Sequence, residues 1–284
     1  MSSQLVLPVS PGAPPKQRNW WVYLVLLVVS FIAVFPFVWI VLTALMDRTT
    51  AQTVPPQWIF EPTFEAFRTL LVDRGMMTFF WNSVIVSVSA TFFSVLIGMF
   101  CAYALARYDF AGKDDISFWI LTNRMLPPVA IILPVFMIFQ TFNLLDSLIG
   151  LVLLYTGMQL PFVVWMLKGF FEDLPRQIEE SALVDGDTWF GCFRRVTLPL
   201  MAPSITATAI FVLILSWNEY AFAVFLTGAD TRTLPPAVVA FTVSSDISWN
   251  LLGAACVFIT LPILLFVVAV QKQFVRGLSM GMMK

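Results

Sequence analysis

Six long apolar segments dominate the hydrophobic pattern of this chain, and short polar stretches separate them. Each has about the 20 residues that an α-helix needs to cross a hydrocarbon core of about 30 Å. The pattern therefore predicts an all-α integral membrane domain over residues 20–274, without an internal repeat. Residues 1–19, with several prolines, and residues 275–284 are predicted to be tails outside the membrane. The predicted spans cover residues 20–45, 79–106, 116–139, 147–170, 202–227 and 251–274.

The stretch Asp173–Pro199, called the polar segment below, differs sharply from the apolar sequence around it. Its first half has apolar residues at helical spacing, at Leu174, Ile178 and Ala182. Gly186 follows as a residue that can end a helix with positive φ. A second apolar stripe comes next, formed by Trp189, Cys192, Phe193 and Val196. The pattern predicts an amphipathic helix-turn-helix that ends at Pro199 and is suited to docking into a groove on a soluble partner.

The spacing within the polar segment resembles the EAA loop of membrane-spanning subunits in ATP-binding-cassette (ABC) importers. That loop reads E-A-A, three residues, G, nine residues and I-x-L-P. Here Glu180-Ser181-Ala182 precedes Gly186 and then Val196-Thr197-Leu198-Pro199, so serine replaces one alanine and valine replaces isoleucine. The resemblance implies that this loop couples the permease to an ATPase subunit through Glu180, Ser181, Ala182, Asp185, Gly186, Trp189, Phe193, Leu198 and Pro199. Glu180 would face the ATPase, while the apolar stripe with Trp189, Phe193 and Val196 would fix the second helix to the permease. The alternative is an interfacial amphipathic hairpin with no partner.

Lysine and arginine are distributed unevenly between the two sides of the predicted spans. If the N-terminus is cytoplasmic, eleven of these residues lie inside, four lie outside, and Arg124 lies within a span. Cytoplasmic loops carry the excess of positive charge in membrane proteins. The count therefore predicts that both termini and the polar segment are cytoplasmic. The four outside residues are Arg48, Arg68, Arg74 and Arg232.

Composition agrees with a membrane protein and excludes several kinds of chemistry. The chain is 59% hydrophobic and 12% charged, and its mean hydropathy is +0.87. A net charge of −1 does not indicate nucleic-acid binding. The sequence contains no histidine, which removes Ser-His-Asp catalysis and histidine metal sites. The three cysteines are far apart and suggest neither a disulfide framework nor a metal site. No catalytic residue and no metal ligand is predicted.

Polar residues inside the spans are candidates for a solute path, because buried polar groups are costly in lipid. Amides, acids and aromatic rings can bind the hydroxyls and C–H faces of a sugar-like solute. Arg124 lies beside a proline break at Pro127-Pro128, and Gln140 and Gln159 are predicted near the outer ends of spans three and four. The candidate path residues are Asn123, Arg124, Gln159, Asn218 and Glu219. Alternatively, Arg124 and Glu219 pair with each other or with a neighbouring subunit and only hold the bundle together.

The C-terminal sequence adds a second resemblance. Val275–Lys284 is similar to the V-x-G-L-[ST]-x-G-x-x-K ending of carbohydrate-importer permeases of the maltose type. The resemblance implies that Ser279, Gly281 and Lys284 contact the ATPase, and that the fold is that of a type I ABC importer permease. Trp217-Asn218-Glu219 and the residues from Arg124 to Pro128 also fit this subfamily.

These resemblances imply an assembly in a bacterial inner membrane. Such permeases pair with a second permease subunit, usually a different chain, on two copies of an ATPase subunit, and receive solute from an external binding protein. This chain lacks the G-x-x-x-x-G-K-[ST] phosphate loop, so we expect it to bind no cofactor while the partner ATPase uses ATP and magnesium. The predicted function is a permease subunit for a sugar, polyol or related solute. The alternatives are an ion channel or a membrane-embedded enzyme that uses Arg124 and Glu219.

Overall fold

The computed structural model describes residues 20–242 and 248–280, with side chains as far as residue 268. All the regular elements in these ranges are helical. The predicted tail at 1–19 lies outside the described residues, as do Gly281 and Lys284. The α-helices are α1 Trp20–Ala44, α2 Glu65–Arg68, α3 Met76–Arg107, α4 Lys113–Thr122, α5 Pro128–Thr141, α6 Leu148–Asp173, α7 Arg176–Val184, α8 Trp189–Cys192, α9 Leu198–Trp217, α10 Ala221–Leu226, α11 Leu234–Val239 and α12 Trp249–Met280.

The helices of membrane-spanning length follow the predicted apolar segments. In the described ranges, five helices are long and apolar enough to cross a bilayer, and a bent pair makes a sixth. α1, α3 and α6 begin and end within a few residues of the predicted spans. α12 extends to Met280, so the helix includes Ser279 and part of the predicted tail.

The third predicted span is broken rather than straight. α4 continues through a 3-10 turn, Asn123–Met125, and meets α5 at a bend of 97°. Leu126 and Pro127 have extended backbones, with ψ of 123° and 131°. A residue before proline avoids helical ψ, and proline lacks the amide hydrogen that a helix needs. The two adjacent prolines therefore explain the bend.

The fifth predicted span, 202–227, is wrong at both ends. Its helix starts at Trp189, because α8 passes through a π-helical turn, Phe193–Thr197, directly into α9. It stops at Trp217, and the short α10 follows separately. The second helix of the polar segment therefore continues through Pro199 instead of ending there, contrary to the prediction. The wider π turn, in which the Leu198 amide donates to the Phe193 carbonyl, brings the chain into α9 before the proline ring.

The centre of the bundle is the long interface between α3 and α6. A Cβ on Gly98 would lie 2.6 Å from Cγ1 of Val163, so the two helices approach closely only because this residue is glycine. Ser94 Oγ lies 2.6 Å from the carbonyl oxygen of Ala90 in its own helix and 3.1 Å from that of Thr156 across the interface, so its one hydrogen is shared between them. Small residues give this kind of close packing in lipid. α1, in contrast, has only Ala44 buried and packs on α12.

Candidate functional site: the polar segment and the central cavity

The polar segment folds as the predicted helix-turn-helix around Gly186. This glycine has φ of +91°, and its amide donates to the carbonyl of Leu183 at 3.1 Å. The Asp187 amide donates to the carbonyl of Ala182, also at 3.1 Å. These two bonds form a Schellman motif, which satisfies the last carbonyls of α7 and turns the chain. Thr188 then caps α8, since its hydroxyl accepts the Gly191 amide at 3.0 Å.

An ion pair fixes the turn between the two helices of the polar segment. Arg195 binds the Asp187 carboxylate through Nε, at 3.1 Å, and through Nη2. These hydrogen bonds hold the pKa of Asp187 below its usual value. Gly191 leaves room for the pair, since a Cβ there would collide with the Asp187 side chain. The Arg195 side chain is well exposed, so the pair orders the turn but adds little stability.

The predicted docking residues divide into exposed and packed groups. Phe193 is buried against Tyr103, with ring centroids 4.7 Å apart, and anchors the segment to α3. Ala182 and Leu198 are partly buried. The exposed members form the surface that a partner could reach: Glu180, Ser181, Asp185, Gly186, Trp189 and Pro199.

The buried face of α7 differs from the predicted one. Ile178, expected to pack inward with Leu174 and Ala182, is exposed, and Glu179 is buried instead. Glu179 Oε2 lies 2.6 Å from Nε of Arg107, and the two side chains form an ion pair. The Nε–H group is not aligned for a hydrogen bond. Thr197 Oγ1 donates to Glu179 Oε1 at 2.6 Å. Hydrophobic periodicity could not reveal this face, because its central residue is a carboxylate.

Four of the five candidate path residues line one cavity of about 500 Å³ at the bend between α4 and α5. They are Asn123, Arg124, Gln159 and Glu219. Asn218 does not line it, and its amide donates instead to the carbonyl of Ile214 at 2.8 Å. Gln159 lies near the middle of α6 rather than near its outer end, and it is buried. Gln140 is exposed on α5, away from the cavity.

The polar groups of the cavity are held by neutral partners. Arg124 Nη1 donates to Gln159 Oε1 at 3.0 Å and to the carbonyl of Met158 at 3.2 Å. Its guanidinium carbon lies 5.5 Å from the ring centroid of Phe162. Glu219 Oε1 accepts the amide of Phe222, in the first turn of α10, at 3.0 Å. In the described part of the chain no ion pair joins Arg124 to Glu219, so the mutual pairing considered above is wrong.

Membrane-length helices, a folded polar segment at one end and a polar cavity at a helix break define a polytopic transport subunit. The chain belongs to the family of binding-protein-dependent transport system inner membrane components, whose model matches residues 94–280. Proteins of this family reside in the inner membrane and work with an ATPase and a solute-binding protein.

Named relatives agree with this assignment. The chain is 35% identical to the diacetylchitobiose uptake system permease protein DasC of Streptomyces coelicolor, over 90% of this chain and 94% of the relative. It is 32% identical to the trehalose transport system permease protein SugB of Mycobacterium tuberculosis, over 95% of this chain and 98% of the relative. It is also 32% identical to the sulfoquinovosyl glycerol transport system permease protein SmoH of Agrobacterium fabrum, over 88% of each chain.

The fold matches a solved structure of a bacterial ABC transporter that imports the acidic polysaccharide alginate. The TM-score is 0.74, the identity is 21%, and the match covers 93% of this chain and 100% of the other. This likeness confirms the all-α importer permease fold. With the family and the relatives, it shows that the chain is a permease subunit of an ABC importer rather than an enzyme, and the channel and enzyme alternatives are not favoured.

Proposed function

We propose that this permease imports a carbohydrate and that the solute passes the cavity lined by Arg124, Gln159 and Glu219. The observation that carries the proposal is the arrangement of a guanidinium, an amide and a carboxylate around about 500 Å³ at a helix break. These groups can exchange their present hydrogen bonds for bonds to hydroxyls of a solute.

The substrates named for relatives support the carbohydrate class. DasC, SugB and SmoH are named for diacetylchitobiose, trehalose and sulfoquinovosyl glycerol, and all three contain sugar rings. The cavity is lined by a positively charged guanidinium and a negatively charged carboxylate, so it can accept polar solutes of either charge. We infer no single solute from it.

We propose further that the exposed face of the polar segment receives the ATPase. In this assembly a second permease subunit completes the membrane part, two ATPase copies bind below it, and both termini are cytoplasmic. Glu180 presents an exposed carboxylate there, while Phe193 fixes the segment to α3. Ser279, Gly281 and Lys284 provide a further ATPase contact in this proposal. ATP-driven closure of the ATPase would then move the helices as rigid bodies and alternate access to the cavity.

The test is uptake by the complete importer in proteoliposomes, with its binding protein outside and ATP enclosed. Radiolabelled trehalose, diacetylchitobiose and a panel of monosaccharides are compared with amino acids. We expect ATP-dependent accumulation of at least one sugar and of no amino acid. Accumulation of an amino acid alone would overturn the carbohydrate assignment, and uptake without ATP would overturn the ATPase coupling.

A further inference from the structure

A buried ion pair joins the end of α3 to the polar segment. The Arg107 and Glu179 side chains are each 5% exposed, and Nε and Oε2 lie 2.6 Å apart. Thr197, in the π-helical turn, donates to the second carboxylate oxygen at 2.6 Å. One carboxylate therefore connects three segments: α3, α7 and the start of the long helix that becomes α9. A charge buried this completely is stable only while its partner is present.

Two further hydrogen bonds reinforce the same junction. Arg107 Nη2 donates to the carbonyl of Leu174 at 3.1 Å, just before α7. In the reverse direction, Arg176 Nη2 donates to the carbonyl of Ala106 at 3.3 Å. Because each segment donates a hydrogen bond to the other, the last turn of α3 cannot shift relative to α7 without breaking several polar contacts at once.

The other end of α3 is fixed to a different part of the chain. Asn82 Nδ2 donates to the carbonyls of Asp230 and Arg232, at 2.8 and 3.0 Å. Ser83 Oγ accepts the amide of Leu234, the first residue of α11, at 2.7 Å. α3 has 32 residues, which corresponds to a length of ~48 Å. A single continuous helix thus connects the polar segment to residues 230–234 at the opposite end of the bundle.

We infer that Arg107 and Glu179 are positioning residues that make α3 move together with the polar segment. Motion of the ATPase would reach α3 through this buried pair and then residues 230–234 through Asn82 and Ser83. Glu179 is buried, so it acts through Arg107 and not by touching the ATPase. The inference rests on the proposal that the polar segment receives the ATPase. It adds the route by which that contact reaches the opposite end of the membrane domain.

The experiment compares uptake with hydrolysis in the complete reconstituted importer. Glu179→Gln keeps the shape of the side chain but removes its charge, and Glu179→Asp keeps the charge. Glu65→Gln, an exposed glutamate on α2, is the matched control. For each complex we measure copurification of the ATPase, the rate of ATP hydrolysis, and trehalose or other accepted sugar taken up per ATP hydrolysed.

We expect Glu179→Gln complexes to retain the ATPase and to take up at least fivefold less sugar per ATP. Glu179→Asp should restore at least half of the lost sugar uptake per ATP, and Glu65→Gln should have the wild-type ratio of uptake to hydrolysis. A wild-type ratio in assembled Glu179→Gln complexes would overturn the inference. If those complexes do not assemble, Thr197→Val decides instead, because it removes one hydrogen bond and keeps the ion pair. About a twofold lower ratio supports the inference, and an unchanged ratio overturns it.

Glu180→Ala in the same preparation separates this inference from the docking proposal. If Glu180→Ala keeps both the ATPase and full uptake, the docking proposal fails. If Glu180→Ala loses uptake while Glu179→Gln keeps the wild-type ratio, only the positioning role of the buried pair fails.

Discussion

Arg124 Nη1 donates a hydrogen bond of 3.0 Å to Gln159 Oε1 and so connects the break between α4 and α5 to the middle of α6. A buried amide that binds a guanidinium fixes the orientation of both groups. Both side chains line the cavity. This arrangement suits a solute rich in hydroxyl groups, because both donors and acceptors can be presented to it.

Gln159→Leu should weaken solute recognition without disturbing assembly. The substitution removes one acceptor of Arg124, and a hydrogen bond to a charged group is worth about 1.5–3 kcal/mol. We expect KM for sugar uptake to rise about tenfold, which corresponds to ~1.4 kcal/mol. Gln140→Leu is the control, because Gln140 is exposed on α5 outside the cavity. Equal KM values for the two variants would count against a path through this cavity.

Glu180→Ala should lose ATP-dependent uptake while the chain stays folded. The residue is exposed on α7, and surface substitutions change stability by about 0.5 kcal/mol or less. We expect at least a tenfold fall in uptake and weaker copurification of the ATPase. Glu65→Ala, on α2, should match the wild type in both measurements. Full uptake in Glu180→Ala would show that this carboxylate does not contribute to docking.

Gly186→Ala should destabilise the turn of the polar segment. A residue with a Cβ is strained at φ of +91°, and the left-handed conformation costs roughly 1–2 kcal/mol. We expect a lower unfolding midpoint in detergent and reduced ATPase binding. Gly169→Ala in α6 is the control: its Cβ would meet no atom within 4 Å, and alanine favours helix by ~1 kcal/mol over glycine. A midpoint for Gly186→Ala equal to that of Gly169→Ala would contradict the strain argument.

Asp146 should make the end of the bundle opposite the polar segment sensitive to acid. Its Oδ1 accepts the Gly228 amide at 2.7 Å and the Thr231 hydroxyl. The Thr231 bond, with the Gly228 bond, lowers the pKa of this carboxyl. Because the folded pKa lies below the unfolded value of about 3.9, the contact stabilises the fold above that pH and is lost as pH falls through the folded pKa.

Limited proteolysis between pH 3 and pH 7 tests this contact. We expect cleavage of residues 227–233 to increase at the acid end in the wild type. In Asp146→Asn cleavage should be raised at all pH values, with a flatter profile. Thr231→Val, which removes one donor, should move the acid transition to higher pH. A wild-type profile in Asp146→Asn would show that this carboxylate does not hold the loop.

Local sequence determined the helices and the turn of the polar segment. Apolar runs of membrane length set α1, α3, α6 and α12, because lipid requires every backbone group to be bonded within the helix. Gly186 and Thr188 set the turn through backbone geometry and a side-chain cap, both of which depend on neighbouring residues alone. These features needed no knowledge of distant contacts.

Tertiary structure decided what periodicity could not. Glu179 is buried because Arg107, 72 positions earlier, supplies its charge partner, and a pattern of apolar residues cannot indicate a paired carboxylate. The passage of α8 into α9 before Pro199 depends on a π turn packed against α3. The bend at Pro127 places the break between α4 and α5 beside α6. Only this brings together the four cavity residues Asn123, Arg124, Gln159 and Glu219. Sequence alone named these polar residues, and long-range packing brought them to one cavity.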